Sequence, residues 1–571
     1  MHSPQPSAAS SWAPVLRWAW PMALGVVLAV TVVGDGFNPT DEGLIAATSQ
    51  RLLDGQVPHL DFITARTAAS AYLHLPELLL PTPLFLTGRL VALGEVVLFS
   101  LLLAWLVLGQ GPWRWGLGAI LGVAASVLIN LNTVPLMPWY TTDGLLLASI
   151  GLVFLREGLV RDRLLLIALG FGSLALSAMA KQSFAPVLVI GLVWLVAASS
   201  PADRPRRIAL AVGAVAVPVV LYSASVALGG GLPAMVHQLL SSRPTLGEQL
   251  LAPIGSPGSV LLLIAVPAAV AWVNRFPLRG EVTATGRAGV VLAVVLTVLV
   301  ITILVTSGLR VTAYWGILLT WLLAAYVAAA LLFVRRLDGT ALILVLLAWM
   351  TSLSYGVPVP SLVAGSVALA LIDRAWRHVP DLAVPRPMAA ASVAFGLLFV
   401  ATVPAFAIAR SEYVHRDAPR RELTADLGAL SPALAGIRTN ERTATYLRVM
   451  RDCVEAHPAG SVAVLPDNPA VYPAFGWRNP LPLDFLFPPE YEGARDEVLQ
   501  SSRVLAERGD YLVLFQRVRA DTLLDPGIDL TGAGGPHTYD PALTAKMRDV
   551  LASNGDPIAC GAFDGYHAPS R

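Results

Sequence analysis

Apolar runs long enough to cross a bilayer recur as far as residue 409, and they leave this chain few folds to choose from. A spanning helix needs roughly 20 mostly apolar residues, and it must satisfy its own backbone polar groups inside lipid. Such runs lie near 15–33, 86–109, 115–131, 143–160, 164–180, 184–200, 207–229, 258–274, 286–308, 312–334, 339–355, 358–374 and 388–409, thirteen in all. Residues 15–409 are therefore expected to form a mostly α, polytopic membrane bundle of about 13 transmembrane helices. With 55% hydrophobic and 13% charged residues over 571 positions, no water-soluble core accounts for the composition.

Residues 1–14 are rich in Ser, Pro and Ala and are expected to be a disordered cytoplasmic N-terminus. Arg17 precedes an apolar run with no small-residue cleavage site, which predicts a start-transfer anchor rather than a cleaved signal peptide. Loops after the even-numbered runs carry arginine at every step, from Arg114 to Arg374, Arg377 and Arg386. The alternate loops hold only Arg51, Arg66, Lys181, Arg243 and Arg310, with Arg89 near a helix end. By the positive-inside rule the N-terminus lies inside, and an odd number of spans places residues 410–571 outside. The expected location is the cytoplasmic (inner) membrane. A net charge of +1 argues against nucleic acid as a partner.

After Ala409 the composition becomes that of a soluble domain. Short apolar strands at 461–465, 511–515 and 558–563 alternate with helical patterns at 440–454, 490–507 and 540–553, which predicts an extracytoplasmic α/β domain over 410–571. Both cysteines, Cys453 and Cys560, fall in it. In an oxidising compartment that predicts a disulfide, with two free buried thiols as the alternative.

The longest polar interruption near the start of the bundle is 34–81, and long loops in compact domains are usually functional. It carries Asp41 and Glu42 ahead of an amphipathic run. Acids favour a helix N-terminus for electrostatic reasons alone, but a half-buried acid outside the membrane also suits general-base chemistry. Neighbouring helical residues point about 100° apart, so the two acids are expected to hold different groups. Asp143, after Pro138-Trp139-Tyr140, is expected to face the same exterior vestibule. Lys181 is one of two lysines in an arginine-rich chain. With Arg66 and Arg310 it is a candidate contact for a phosphate leaving group, against snorkelling to the interface.

His59 and Asp61 are candidate acceptor contacts or a solvated turn. Trp139 and Tyr140 are candidate sugar-stacking rings or members of an interfacial belt. Glu95, inside the second run, is either functional or a structural hydrogen bond. Residues 235–240 form an amphipathic piece that either gates a lipid entrance or simply connects. No His/Cys metal spacing, phosphate-cradling Gly-rich loop or serine nucleophile elbow is present, so an activated substrate is expected to arrive on a lipid or from outside.

The segment Pro39-Thr40-Asp41-Glu42-Gly43, followed by Leu53-Asp54-Gly55-Gln56-Val57-Pro58-His59-Leu60-Asp61-Phe62, resembles the first exterior loop of the glycosyltransferase-C superfamily. It is similar to the branch holding protein O-mannosyltransferases and the aminoarabinose transferases of lipid A. His59 stands where that branch commonly has an aromatic residue, and Ile63-Thr64-Ala65-Arg66 where it has a Lys-Pro-Pro run.

The resemblance implies an inverting membrane glycosyltransferase. Its donor would be a polyprenyl-phosphate sugar, and its acceptor a cell-envelope glycan, lipid or protein. Asp41 would be the catalytic base, with Glu42 supporting it and Asp143 as the second acidic position. Lys181 or Arg66 would contact the donor phosphate. No cofactor is specified; a divalent cation stays open, because some members of the superfamily use one. The alternatives are a transporter or flippase of a lipid-linked sugar and a non-catalytic scaffold; the absence of an internal repeat argues against the transporter.

Overall fold

A computed structural model describes residues 13–133, 136–241, 265, 282–309, 315–334, 337–353, 360–377, 387–491, 493–525, 528, 530 and 537–570. The chain is mostly helical. Its first half contains α1 (Ala13–Val32), α2 (Leu44–Leu53), α3 (Ala69–Leu73), α4 (Leu75–Leu79), α5 (Leu84–Leu108), α6 (Leu117–Thr133), α7 (Tyr140–Val160), α8 (Leu164–Ala180), α9 (Pro186–Ala198), α10 (Arg204–Leu228) and α11 (Leu232–Ser241). The bundle continues with α12 (Val282–Ser307), α13 (Trp315–Ala329), α14 (Gly339–Ser352), α15 (Ala364–Arg377) and α16 (Pro387–Glu412).

Every apolar run read from the sequence falls on one of these helices except 258–274, of which only residue 265 is described. By length and composition, five described helices can cross a membrane: Leu84–Leu108, Arg204–Leu228, Val290–Ser307, Trp315–Leu332 and Ala389–Glu412. Several others are shorter. α15 has 14 residues, about 21 Å of helix, against a hydrocarbon core of about 30 Å. It is buried along most of its length and belongs to the interior of the bundle.

The contact between α7 and α8 relies on small residues. A Cβ on Gly151 of α7 would stand 2.8 Å from the carbonyl oxygen of Gly170 on α8, so only glycine permits that backbone approach.

The first loop folds as α2 to α4. Asn38 Oδ1 accepts from the backbone N–H groups of Thr40 and Asp41 at 3.0 and 2.9 Å, closing a turn ahead of α2. Asp41 and Glu42 lie in this turn, outside the helix; the residue before α2 is Gly43. The acids therefore precede the helix start where the sequence placed them.

Residues 410–570 form an α/β unit with α17 (Glu441–Ala456), α18 (Val471–Phe475), α19 (Pro488–Tyr491), α20 (Arg495–Arg508) and α21 (Pro541–Ala552). A two-stranded sheet pairs β1 (Ala425–Asp426) with β2 (Arg438–Thr439). The larger sheet runs β3-β4-β6-β5, from β3 (Val462–Leu465), β4 (Tyr511–Gln516), β5 (Asp556–Cys560) and β6 (Phe563–Ala568). β3 and β4 are parallel and buried along their whole length. The expected single strand at 558–563 is instead a hairpin: Cys560 pairs with Phe563, and Gly561 turns the chain at φ +56°. Two residues suffice when the first takes a left-handed conformation. Cys453 of α17 and Cys560 of β5 are joined by a disulfide with Cα atoms 5.9 Å apart.

This unit docks on the first loop. Gly36 N–H donates to Arg438 O and Arg438 N–H to Gly34 O, each at 2.8 Å. Asp417 is buried and accepts from Phe37 N–H, Thr439 Oγ1 and Asn440 Nδ2. Arg51 of α2 makes a buried bidentate pair with Asp484, at 2.8 and 2.7 Å, and a third hydrogen bond to Leu481 O.

Candidate functional site

The acidic turn lies where the bundle, the first loop and the linker after α16 meet. Asp41 is half-buried, and Oδ2 is 2.8 Å from Arg416 Nη1 and 3.6 Å from His415 Nε2. Burial alone would push its carboxyl up; the nearby His415 side chain and the Arg416 charge outweigh burial and hold it below the ordinary value. Asp41 is therefore an ionised, solvent-reachable acid flanked by the Arg416 guanidinium and the His415 side chain.

Glu42 faces the other way. It is buried and accepts from both Nε and Nη2 of Arg89, a residue of α5. Arg89 also donates to the backbone carbonyls of Val33, Asp35 and Gly36, so the pair fixes the path of the chain into the loop. A bidentate guanidinium leaves the Glu42 carboxylate little freedom to act on a substrate.

Beside this pair a cleft of about 380 Å³, open mouth included, is lined by Phe37, Glu42, Arg89, Leu136, Met137, Arg410, Val414 and His415, among others. Arg410 lies near the end of α16; it donates to Leu131 O, and its Nε has no hydrogen-bond partner among the described residues. An arginine near a helix end and a histidine in the linker that follows it suit an anionic group.

Asp143 does not face this cleft. It is fully buried in the first turn of α7, not in a solvent vestibule. Its Oδ1 is 3.1 Å from Nε2 of His74, whose Nδ1 is 2.5 Å from Glu77 Oε1. Glu95 of α5 completes the group, and Asp143 Oδ2 and Glu95 Oε2 have no partner among the described residues. Burial disfavours the His74 imidazolium, but Asp143 and Glu77 outweigh it and raise its pKa well above the usual range. A second geometric grouping, Cys453, His457 and Cys560, has its sulfurs consumed by the disulfide.

The residues expected to hold phosphate are otherwise engaged. Arg66 makes a bidentate pair with Glu490 of the C-terminal unit, at 2.7 and 2.8 Å, and its guanidinium lies 4.8 Å from the Tyr140 ring centroid. Lys181 is buried just past α8 with Nζ 2.8 Å from Thr141 Oγ1. Burial, reinforced by the Arg66 charge, pulls the ammonium down to about 7, so it is not a fixed charge at neutral pH. It does not snorkel. Arg310 lies outside the described residues.

His59 is buried with a φ of +68°; Nδ1 meets Gln238 Oε1 and Nε2 meets the Tyr222 hydroxyl, both at 2.9 Å. It clamps α10 and α11 to the loop and is not an exposed acceptor contact. Gln238 belongs to the amphipathic piece at 235–240, which packs on the loop as part of α11. Asp61 is exposed and accepts from Val57 N–H at 2.6 Å, closing a turn. Trp139 precedes α7 and Tyr140 starts it, packed under Arg66 rather than open to a sugar.

His74 and Glu77 went unread in the sequence, although their i, i+3 spacing inside the loop was visible. His415, Arg416 and Arg410 are not singled out by the sequence, because nothing local ties them to residue 41. Comparison with known proteins finds no family model that matches the chain and no curated protein that matches it significantly.

Proposed function

We propose that the chain is a membrane glycosyltransferase, transferring a sugar from a polyprenyl-phosphate carrier to a cell-envelope glycan, lipid or protein. The observation that carries this reading is the half-buried Asp41 carboxylate, 3.6 Å from the His415 side chain that, with Arg410, lines the neighbouring cleft. A carboxylate to take the acceptor proton and a positive side chain to meet the leaving phosphate are what the reaction needs. The acidic first-loop motif similar to the glycosyltransferase-C superfamily supports the same reading.

In this proposal the acceptor hydroxyl attacks the anomeric carbon as its proton passes to Asp41. The carbon–phosphate oxygen bond breaks on the opposite face, so the anomeric centre inverts. The polyprenyl phosphate leaves with the bonding electron pair, its charge met by Arg410, with the His415 side chain lining the same cleft. Lys181, Arg66 and Glu42 serve the fold. The bundle is read as thirteen spans in the inner membrane, N-terminus inside and the 410–571 unit outside, where it covers the loop and meets the acceptor.

The test is release of free polyprenyl phosphate from synthetic polyprenyl-phosphate sugars, by detergent-purified wild type and Asp41→Asn, with a cell-envelope extract as acceptor. One donor is expected to be consumed by wild type and spared by the variant. Turnover by both removes Asp41 as the base. Consumption of no donor by folded protein overturns the transferase reading, and movement of intact donor across reconstituted bilayers would then favour a flippase.

A further inference from the structure

We infer that His74, Glu95 and Asp143 form a binding site for a divalent transition cation of the Mn²⁺ or Zn²⁺ kind. The inference concerns metal binding alone and stands whether or not the transferase reading holds.

The three side chains come from three separate elements: the junction of α3 and α4, the middle of α5 and the first turn of α7. Their exposures are 1%, 6% and 0%. One ligand atom from each lies within 4.8 Å of the others. Zinc–nitrogen and zinc–oxygen bonds are about 2.0–2.2 Å, so ligand atoms on one tetrahedral ion stand about 3.4 Å apart. The widest separation in the group therefore closes by up to about 1.4 Å when an ion binds, within reach of side-chain adjustment. The 3.1 Å between His74 Nε2 and Asp143 Oδ1 is also the separation of two neighbouring ligands on one ion.

Two further observations point to a ligand. Asp143 Oδ2 and Glu95 Oε2 are buried and lack partners among the described residues. Unpaired buried carboxylate oxygens are costly unless protonated, paired or bound to metal. The second observation is the support behind His74. Glu77 accepts from Nδ1, which sets the tautomer that leaves the Nε2 lone pair for an ion; carboxylate-backed histidine is the usual form of a metal-ligating imidazole. Space for that carboxylate is provided by Gly88 on α5, where a Cβ would stand 3.0 Å from Glu77 Oε2.

The donor set selects the metal. One imidazole and two carboxylates favour a borderline ion over Mg²⁺ or Ca²⁺, which prefer all-oxygen shells. Binding displaces whatever proton occupies Nε2. The cation neutralises carboxylates that otherwise share one histidine, and it ties α5 and α7 to the first loop.

The experiment uses the full chain in detergent, stripped with chelator and titrated with MnCl₂, with free Mn²⁺ read by electron paramagnetic resonance. A single bound Mn²⁺ per chain is expected, displaced by Zn²⁺. His74→Gln and Asp143→Asn should each weaken it at least about tenfold. Should either variant fold poorly, pulsed resonance on wild type decides. Bound Mn²⁺ should show nitrogen modulation, altered by ¹⁵N-histidine labelling. No binding of either ion at millimolar concentration overturns the inference and leaves the cluster to protons; so does bound Mn²⁺ without a histidine nitrogen, or full binding by both variants in folded form.

Discussion

Asp41 and Glu42 are adjacent in the chain and opposite in environment. Glu42 is a buried carboxylate whose partner, Arg89, also organises three carbonyls. Removing its charge strands a buried guanidinium, and breaking such a pair costs about 3–5 kcal/mol. Glu42→Gln is expected to lower the melting temperature of the solubilised protein markedly, and an unchanged melting temperature would contradict this assignment. Asp41 answers to pH instead. Its folded-state pKa is depressed, so its contribution to stability is present above the unfolded value and is lost as pH falls through the folded one. Arg416→Ala removes one of the influences holding the pKa down and leaves burial in place. The acid limb of the pH–rate profile should then move to higher pH, while an unmoved limb would separate Asp41 from the rate.

At the scale of the element, the turn before α2 is where the C-terminal unit presses closest on the acids. A Cβ on Gly43 would stand 1.9 Å from Ala470 Cα, a backbone atom that cannot step aside, and Ala470 N–H donates to Pro39 O at 3.2 Å. Gly43→Val is therefore expected to lift the unit from the loop while leaving its sheet and disulfide intact. Limited proteolysis should then cut the linker at 413–421 faster than in wild type. An unchanged digestion pattern would mean that Gly43 does not control docking.

At the scale of the molecule, the C-terminal unit is held by ion pairs reaching into the first loop, Arg51–Asp484 and Arg66–Glu490. That arrangement requires loop and unit to share one side of the membrane. Single cysteines at Ser553, in the unit, and Ser200, between α9 and α10, provide the check; both are exposed, and the native cysteines are occupied by their disulfide. In intact cells an impermeant maleimide should label Ser553→Cys and spare Ser200→Cys. The reverse pattern would invert the topology.

Apolar runs alone specify where the bundle helices fall, because in lipid the helix is the local answer to backbone hydrogen bonding. The change of composition after Ala409 likewise marks the α/β unit. The hairpin at 556–568 was harder to read, since Gly561 sits inside one continuous apolar pattern. The roles of individual polar residues were the least legible. Lys181, Arg66 and His59 look like site residues in one dimension, yet in three they meet Thr141, Glu490 and the Tyr222–Gln238 pair. Asp143 meets His74 and Glu95, 69 and 48 positions before it. Local chain chemistry determined the elements. Which charges neutralise one another was decided only by tertiary packing, because burial makes a distant partner obligatory and no local pattern names it.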